Sequence, residues 1–246
     1  MNKLVILFAA VSIALTSCNT TKESTGSNDA PVVEGTLTQG KVTYSMEFDS
    51  DDPDIKSQMS MMGEMTRSTT FIEGMLREET SSSMFSNLSV FDLNKGKVMM
   101  LMDVPMMDMK KGGFTTVDEM KEKMGGSDDA EKPETNVNRN KKKTIAGYEC
   151  YQVTITDAEG YVTTMWVTDM IKAPRNPQYD RGEESEEEIG FPMYIEIEQE
   201  QIYIIMEASE VSDQVPADAF KMKLPEGYEE ATPEEIMQMM KRGGGM

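Results

Sequence analysis

The sequence predicts an α+β fold, mainly β, built on one strongly curved antiparallel sheet, a half-barrel of about eight to ten strands. Two or three helices are expected to pack on its concave face. Many short segments alternate apolar and polar residues and follow one another directly, without the helices that a βαβ pattern requires. Two further segments, residues 98–102 and 202–206, are apolar at every position. Antiparallel strands of that kind need cover on both faces.

The first half of the chain predicts a strand, a helix and two hairpins. Residues 41–48, KVTYSMEF, alternate as a half-buried strand does. Asp52 is a good N-cap and Pro53 suits the first helical position, so a short amphipathic helix is expected up to about residue 64. The hairpins are RSTTFI and MLREET around Glu-Gly, then LSVFDL and KVMMLMD around Asn-Lys-Gly.

The second half continues the β pattern. Residues 115–124 predict a second helix, and residues 125–140, which lack an apolar period, predict a mobile loop. A pair of strands broken at Gly147 is expected next, in KKKTIAGYECYQVTITD. Three more strands are expected, in YVTTMWVTD, FPMYIEIEQ and IYIIMEASEV. Thr232 and Glu235 form a capping box that opens a C-terminal helix.

The N-terminus predicts a bacterial lipoprotein signal. A short basic start precedes an apolar run over residues 4–15, which is too short to cross a bilayer as a mature helix. The run ends in Leu15-Thr16-Ser17-Cys18, which resembles a lipobox. Cleavage before the cysteine would leave Cys18 to carry the lipid. The expected mature chain has 246 − 17 = 229 residues.

Four parts of the chain are therefore expected. Residues 1–17 are the signal peptide, and residues 18–40, rich in Ser, Thr, Asn and Gly, are a flexible tether. Residues 41–230 form a single β-rich domain, and residues 231–246 form a methionine-rich helix with a glycine tail. The tether lacks a strongly acidic run after Cys18, which favours the outer membrane, with the domain facing the periplasm.

Charge and composition exclude several classes of function. The formal net charge of −20 disfavours nucleic acid as a partner. The absence of histidine removes Ser-His-Asp and Cys-His catalysis and histidine-based zinc sites. Neither acidic run, residues 49–54 or residues 182–188, matches a calcium loop. The neighbouring Glu196 and Glu198 are explained by the wet face of a strand, so we expect a non-enzymatic protein without a cofactor.

Several segments together resemble the domain of unknown function 4412 family of bacterial envelope proteins. They are GKVTYSMEF, KKKTIAGYECYQVTIT, TMWVTD, GFPMYIEI and VPADAFKMKLPEGYEEAT, spread over about residues 40–230. The resemblance implies a fold of the lipoprotein-carrier type (LolA-like), in which a curved antiparallel sheet wraps around helices and encloses an apolar cavity. It implies no catalytic residue. The acidic insert at residues 181–188 departs from the family's pattern.

The 25 methionines raise three alternatives: core filling, the lining of an adaptable apolar pocket, or soft-metal binding. The leading functional hypothesis is a cavity for a lipid or acyl chain. A structural or protein-interaction module of the envelope is the rival. The third hypothesis of function is the binding of copper(I) or silver(I) at Met59, Met62, Met106 and Met109. The candidate pocket residues are Met59, Met62, Met100, Met102, Ile202, Ile204, Met206 and Met239.

The lipobox makes a direct prediction. Radiolabelled fatty acid should become attached to the chain in bacterial cells, and the Cys18→Ala variant should lose the label because its acceptor thiol is gone. The measurement is autoradiography of the immunoprecipitated protein. Equal labelling of both chains would contradict the assignment.

Overall fold

The computed structural model describes residues 33, 35–61, 63–124, 133–177, 189–199, 201–236 and 238. They form a large, curved and unclosed sheet with few helices, which confirms the mainly β prediction. The sheet has twelve strands, more than the expected eight to ten. The signal peptide and nearly all of the tether lie outside the described residues.

The strands follow the chain in sequence order within two halves of the sheet. The order across the sheet is β12-β6-β5-β4-β3-β2-β1-β11-β10-β9-β8-β7. The first six strands are β1 (Gly40–Ser50), β2 (Met65–Ile72), β3 (Met75–Ser81), β4 (Ser86–Asp92), β5 (Lys97–Val104) and β6 (Met109–Thr116). The others are β7 (Glu134–Ile145), β8 (Tyr148–Thr156), β9 (Val162–Thr168), β10 (Phe191–Gln199), β11 (Ile202–Ser212) and β12 (Glu229–Glu230).

The helical elements are short: α1 (Pro53–Met61), α2 (Val117–Met124) and a 3₁₀ turn (Pro105–Met107). The side chain of Asp52 caps α1 as predicted, since it accepts the N–H groups of Asp54 and Ile55 at 2.8 and 3.2 Å. The C-terminal helical turn begins at residue 233. Its capping box is formed: Thr232 N–H donates to Glu235 at 2.8 Å, and Glu235 N–H donates back at 3.3 Å.

Three strands were missing from the sequence-based prediction or were placed wrongly. β6 contains KKGGFTT, which has little β propensity and becomes a strand by pairing with β5. β12 is two residues long and pairs parallel to β6. Residues 134–140 were expected to be a mobile loop but begin β7, the outermost strand. Most side chains of this edge strand are exposed, so no apolar period marks it.

One face of the sheet holds the main core. Antiparallel register aligns Phe71, Leu76, Phe91 and Val98 in one row across β2 to β5. All four are buried members of a single apolar cluster. Two helical residues join the same cluster and are themselves fully buried: Met120 of α2, and Ile236 of the C-terminal turn. These two elements therefore each contribute a buried side chain to the core, while the packing of two or three helices on the concave face stays a prediction.

Strand β5 is buried on both faces. Residues 98–102 are between 0 and 5 % exposed, as their uninterrupted apolar run predicted. Val98 and Met100 face the main core. Met99 and Leu101 belong to a second cluster, with Val90 of β4. The residues that cover this second cluster come from the segment between β11 and β12: Phe220, Met222, Leu224 and Tyr228.

The cover over β5 differs from the one expected. The sequence predicted helices as the layer packed on the sheet. Within the described residues, α1 contributes no side chain to either of the clusters that contain β5. The segment between β11 and β12, which contains turns and no helix, covers the second face instead.

The C-terminal segment crosses the edge of the sheet at β6. The N–H of Ala231 donates to Gly112 O at 2.8 Å, between the outer cover and the buried Ile236. A Cβ on Gly112 would lie 2.6 Å from side-chain carbons of Leu101 and Leu224. A Cβ on Gly113 would clash with Ala231 O. The glycine pair is therefore what lets the chain pass this close to β6.

The crossing predicts that Gly113→Ala destabilises the protein by about 1–3 kcal/mol, since the methyl group must displace the backbone at Ala231. Phe114→Ala is the matched control, because the neighbouring Phe114 side chain is exposed. Urea unfolding followed by circular dichroism measures both. An unchanged unfolding midpoint for Gly113→Ala would show that the C-terminal segment is not held against β6.

Candidate functional site, an apolar patch on three strands

An apolar patch extends across β1, β11 and β10. Antiparallel register places Met46 opposite Met206. It likewise places Phe48 opposite Ile204. Residues directly opposite in antiparallel strands share a face. On β10 the partners are Ile195 and Ile197, so the apolar patch consists of Met46, Phe48, Ile195, Ile197, Ile204 and Met206.

Burial decreases along the apolar patch toward one end of the sheet. Met206 is a buried member of the main core cluster, and Met46 and Ile195 pack against that cluster. Phe48, Ile197 and Ile204 are only half-buried and belong to none of the clusters formed by the described residues. The apolar face of the core thus continues into side chains that stay partly accessible to solvent.

The reverse face of the same three strands is acidic. Register places Glu47, Ile205 and Glu196 in one row. The next row contains Asp49, Tyr203 and Glu198. The hydroxyl of Tyr203 donates to the Asp51 carboxylate at 3.2 Å. The two faces of the sheet therefore differ sharply in polarity at this end.

The all-apolar run of residues 202–206 is not buried on both sides, in contrast to the expectation. Tyr203 and Ile205 are half-buried on the acidic face, while Ile202, Ile204 and Met206 point to the other. The periodicity of this strand was obscured because its acidic-face residues are apolar themselves. Within this run, Met206 is the residue that reaches the core.

The structure divides the predicted pocket residues. Ile204 and Met206 lie in the apolar patch, and Ile202 follows on the same face of β11. Met59 lies half-buried on α1, the helix that follows β1. Met100 and Met102 lie apart from them on β5, where they are buried. Met62 and Met239 are outside the described residues.

The methionines proposed for soft-metal binding are distributed over two connections. Met59 is on α1, whereas Met106 is in the 3₁₀ turn and Met109 begins β6. The strands to which these connections belong, β1 and β5, have β2, β3 and β4 between them. In the part of the chain that the structure describes, no three His, Cys, Asp or Glu side chains converge to hold a metal ion. The soft-metal hypothesis stays a prediction.

A polar network lies beside the apolar patch and was not found from the sequence. Arg67 of β2 and Glu78 of β3 form a largely buried ion pair at 2.8 Å. The Asn176 amide donates to the same carboxylate at 2.7 Å. Tyr44, the residue of β1 opposite Arg67, donates to Pro192 O at 2.9 Å. Burial raises the pKa of Tyr44 far above its ordinary value, so the phenol stays protonated.

The network fastens a loop to the sheet. Asn176 belongs to the connection that leaves β9, and Glu78 is in the middle of β3. A hydrogen bond between these distant segments holds residues 172–177 over the face that carries the core. The only sign of this network in the sequence was that Arg67 of β2 and Glu78 of β3 occupy positions that face the core. The alternation of apolar and polar residues does not predict charged side chains at such positions.

Two shallow depressions of the described surface are polar and lie away from the apolar patch. One, of about 340 Å³, lies between the start of β1 and the end of β11 and includes Lys41, Glu210 and Gln214. The other lies on β7 and β8, between Asn136 and Gln152. Neither contains a predicted pocket residue. The enclosed apolar cavity that the sequence predicted stays a prediction.

No family model matches this chain, and no curated protein matches it. The resemblance to the domain of unknown function 4412 family therefore remains a prediction. Among solved structures, an uncharacterized conserved protein from Thermus thermophilus is similar, with a TM-score of 0.45 and 8% identity over 79% of this chain and 90% of that one. MucB is similar with a TM-score of 0.35 and 9% identity over 77% of this chain and 58% of MucB. Likenesses this distant carry no argument about function.

Among the described residues, no helix has the length and apolar character required to cross a membrane.

The buried thiol allows a prediction about reactivity. Cys150 is 1% exposed, and burial raises its pKa to about 12. The thiolate, the reactive form, is therefore scarce at neutral pH.

In the Cys18→Ser variant, where Cys150 is the only thiol, iodoacetamide at pH 8 should modify the folded protein far more slowly than the urea-unfolded protein. Mass spectrometry of timed samples measures the two rates. Equal rates would show that Cys150 is accessible in the folded state.

Proposed function

We propose that this chain is a lipid-anchored, non-enzymatic protein of the bacterial envelope that binds an acyl chain on the apolar patch. The observation that supports the proposal most is the half-buried row Phe48, Ile204 and Ile197, which continues the apolar face of the core and stays partly accessible to solvent. Contiguous apolar side chains that stay accessible can form a binding surface. An acyl chain would cover the accessible remainder of these side chains.

The side chains of the apolar patch suit a flexible apolar guest. Methionine is unbranched and polarizable, and adapts to guests of irregular shape. Met46 and Met206 lie at the inner edge of the apolar patch, where they adjoin the core. The isoleucines further out are stiff and supply a defined apolar floor. This combination favours shape-tolerant binding over recognition of one exact ligand.

The charge of the chain restricts the headgroup. The formal net charge is −20, and the reverse face of the sheet at this end carries Glu47, Glu196 and Glu198. These carboxylates disfavour an anionic headgroup near the apolar patch. The proposed ligand is therefore an acyl chain attached to a neutral or zwitterionic headgroup.

Anchoring through Cys18 would place this surface beside a source of such chains. The proposed location, the periplasmic face of the outer membrane, rests on the N-terminal sequence alone. In this location the tether would hold the domain close to the membrane, and the apolar patch would determine which ligand binds.

The test uses a monoacylglycerol with a pyrene-labelled acyl chain, added to the full chain without its signal peptide. Ile204→Ser should weaken binding by roughly threefold, because about 0.7 kcal/mol of apolar burial is lost when the accessible part of this half-buried isoleucine is no longer covered. Fluorescence titration measures the dissociation constants. Native mass spectrometry of gently purified protein should show the corresponding acyl-chain adduct.

Ile205→Ser is the matched control, since Ile205 is the next residue of the same strand and faces the acidic side. It should leave the dissociation constant unchanged. Equal weakening by both variants, or no binding by the unaltered chain, would refute the proposal. Unfolding midpoints of both variants show whether a loss of affinity comes from a loss of fold.

A further inference from the structure

Exposed methionines accumulate at one end of the sheet. Met106 and Met107 of the 3₁₀ turn are 77% and 72% exposed, and Met61 at the end of α1 is 66% exposed. Val162 at the start of β9 is a fourth exposed apolar residue, at 40%. They lie on separate connections, with β2, β3 and β4 between Met61 and the pair Met106 and Met107, so they are apolar contact points spread along this end of the sheet.

The strand register brings these four residues to the same end. Met46, near the end of β1, pairs with Met65, which follows α1. Ser81 pairs with Ser86, and Ser86 pairs with Asp103, just before the 3₁₀ turn. On the other side of β1, Ser50 pairs with Ile202, the first residue of β11. Ile202 pairs in turn with Gln199 of β10. The residue before it, Glu198, pairs with Val162. We call this end, with residues 51–61, 63–64, 82–85, 105–108 and 157–162, the methionine end.

The methionine end is also acidic. Two lysines beside it, Lys56 and Lys110, are already paired with Asp49 at 2.7 Å and Asp103 at 3.1 Å. Further exposed acidic residues of the same connections surround the methionines: Asp51, Asp54, Glu64, Asp108 and Glu159. The opposite end is mixed in charge, with Lys95 and Lys97 close to Glu73 and Asp118.

We propose that the methionine end is a docking surface for a protein partner that presents both basic and apolar side chains. The exposed thioethers provide adaptable apolar contacts, and the surrounding carboxylates match a positively charged rim. A basic partner with apolar side chains would form favourable contacts with both the methionines and the carboxylates. Either feature alone would be weak evidence for a docking surface. This inference does not rest on the acyl-chain proposal, because Met106 and Met107 lie outside the apolar patch.

The charge and the position of the N-terminal segment argue against the other occupants. A second copy would bring two acidic ends together, and an anionic bilayer would repel the same carboxylates. The N-terminal segment joins the sheet at the opposite end, where Leu37 forms a bridge with Ile171 and Gly40 begins β1. The eleven residues of β1 separate the two ends by roughly 35 Å.

The test places a photo-crosslinking amino acid at Met61, Met106 or Met107 of the full chain, expressed in its native host. All three positions should yield a cross-link to one and the same protein, identified by mass spectrometry, whose cross-linked face is basic. Phe114, exposed but on β6 away from this end, and Glu73, at the opposite end, are the control positions and should yield none of it.

A second variant tests the charge. Asp108→Lys in the chain that carries the cross-linker at Met106 should reduce the yield by roughly tenfold, because it repels a basic rim. Circular dichroism should show the fold unchanged. Cross-links to lipid, to a second copy or to an acidic protein, equal yields from the control positions, insensitivity to Asp108→Lys, or no cross-link at all would each overturn the proposal.

Discussion

The crossing of the C-terminal segment over the edge of the sheet at Gly112 and Gly113 determines much of the architecture. A single open sheet has two faces, and β5 is apolar toward both. The segment that ends in Tyr228 covers one face of β5, and Ile236 joins the core on the other. The glycine pair permits this passage because a side chain at either position would occupy the space of the crossing chain.

That cover is confined to one half of the sheet. It seals β4 to β6, far from the strands that end at α1. The cover lies on the face of β4 and β5 that points away from the main core. On β1, β11 and β10 the core face itself extends past the core and is only half-buried at Phe48 and Ile204. A partly accessible apolar surface that continues the core is the physical basis for the proposed acyl-chain role.

The sequence predicted what depends on local patterns. Asp52 and the Thr232 capping box act within one turn of chain, and the alternation in residues 41–48 reports one half-buried strand, so these elements were found. The sequence-based prediction failed for elements whose structure depends on pairing with distant parts of the chain. β6 is a strand because β5 is beside it, and residues 134–140 are a strand because β8 pairs with them.

The candidate site was predicted in part for the same reason. Ile204 and Met206 were selected from an apolar run, and they do lie together. Met100 and Met102 were selected on the same ground and are core residues of another strand. Composition identifies an adaptable apolar side chain, but only the pairing of β1 with β11 shows which of them remain open. The network of Arg67, Glu78 and Asn176 was missed since nothing local links β3 to the loop at Asn176.

The methionines themselves provide the most direct test, because their ε-methyl groups give separate NMR signals. The chain should be labelled with ¹³C at these methyl groups and titrated with a monoacylglycerol. The account predicts that the signals of Met46 and Met206 shift while those of Met99 and Met100 stay in place. Shifts confined to Met99 and Met100 would show that the ligand enters beneath the C-terminal segment, and would contradict the claim that the sheet is sealed at β5 and open at β1 and β11.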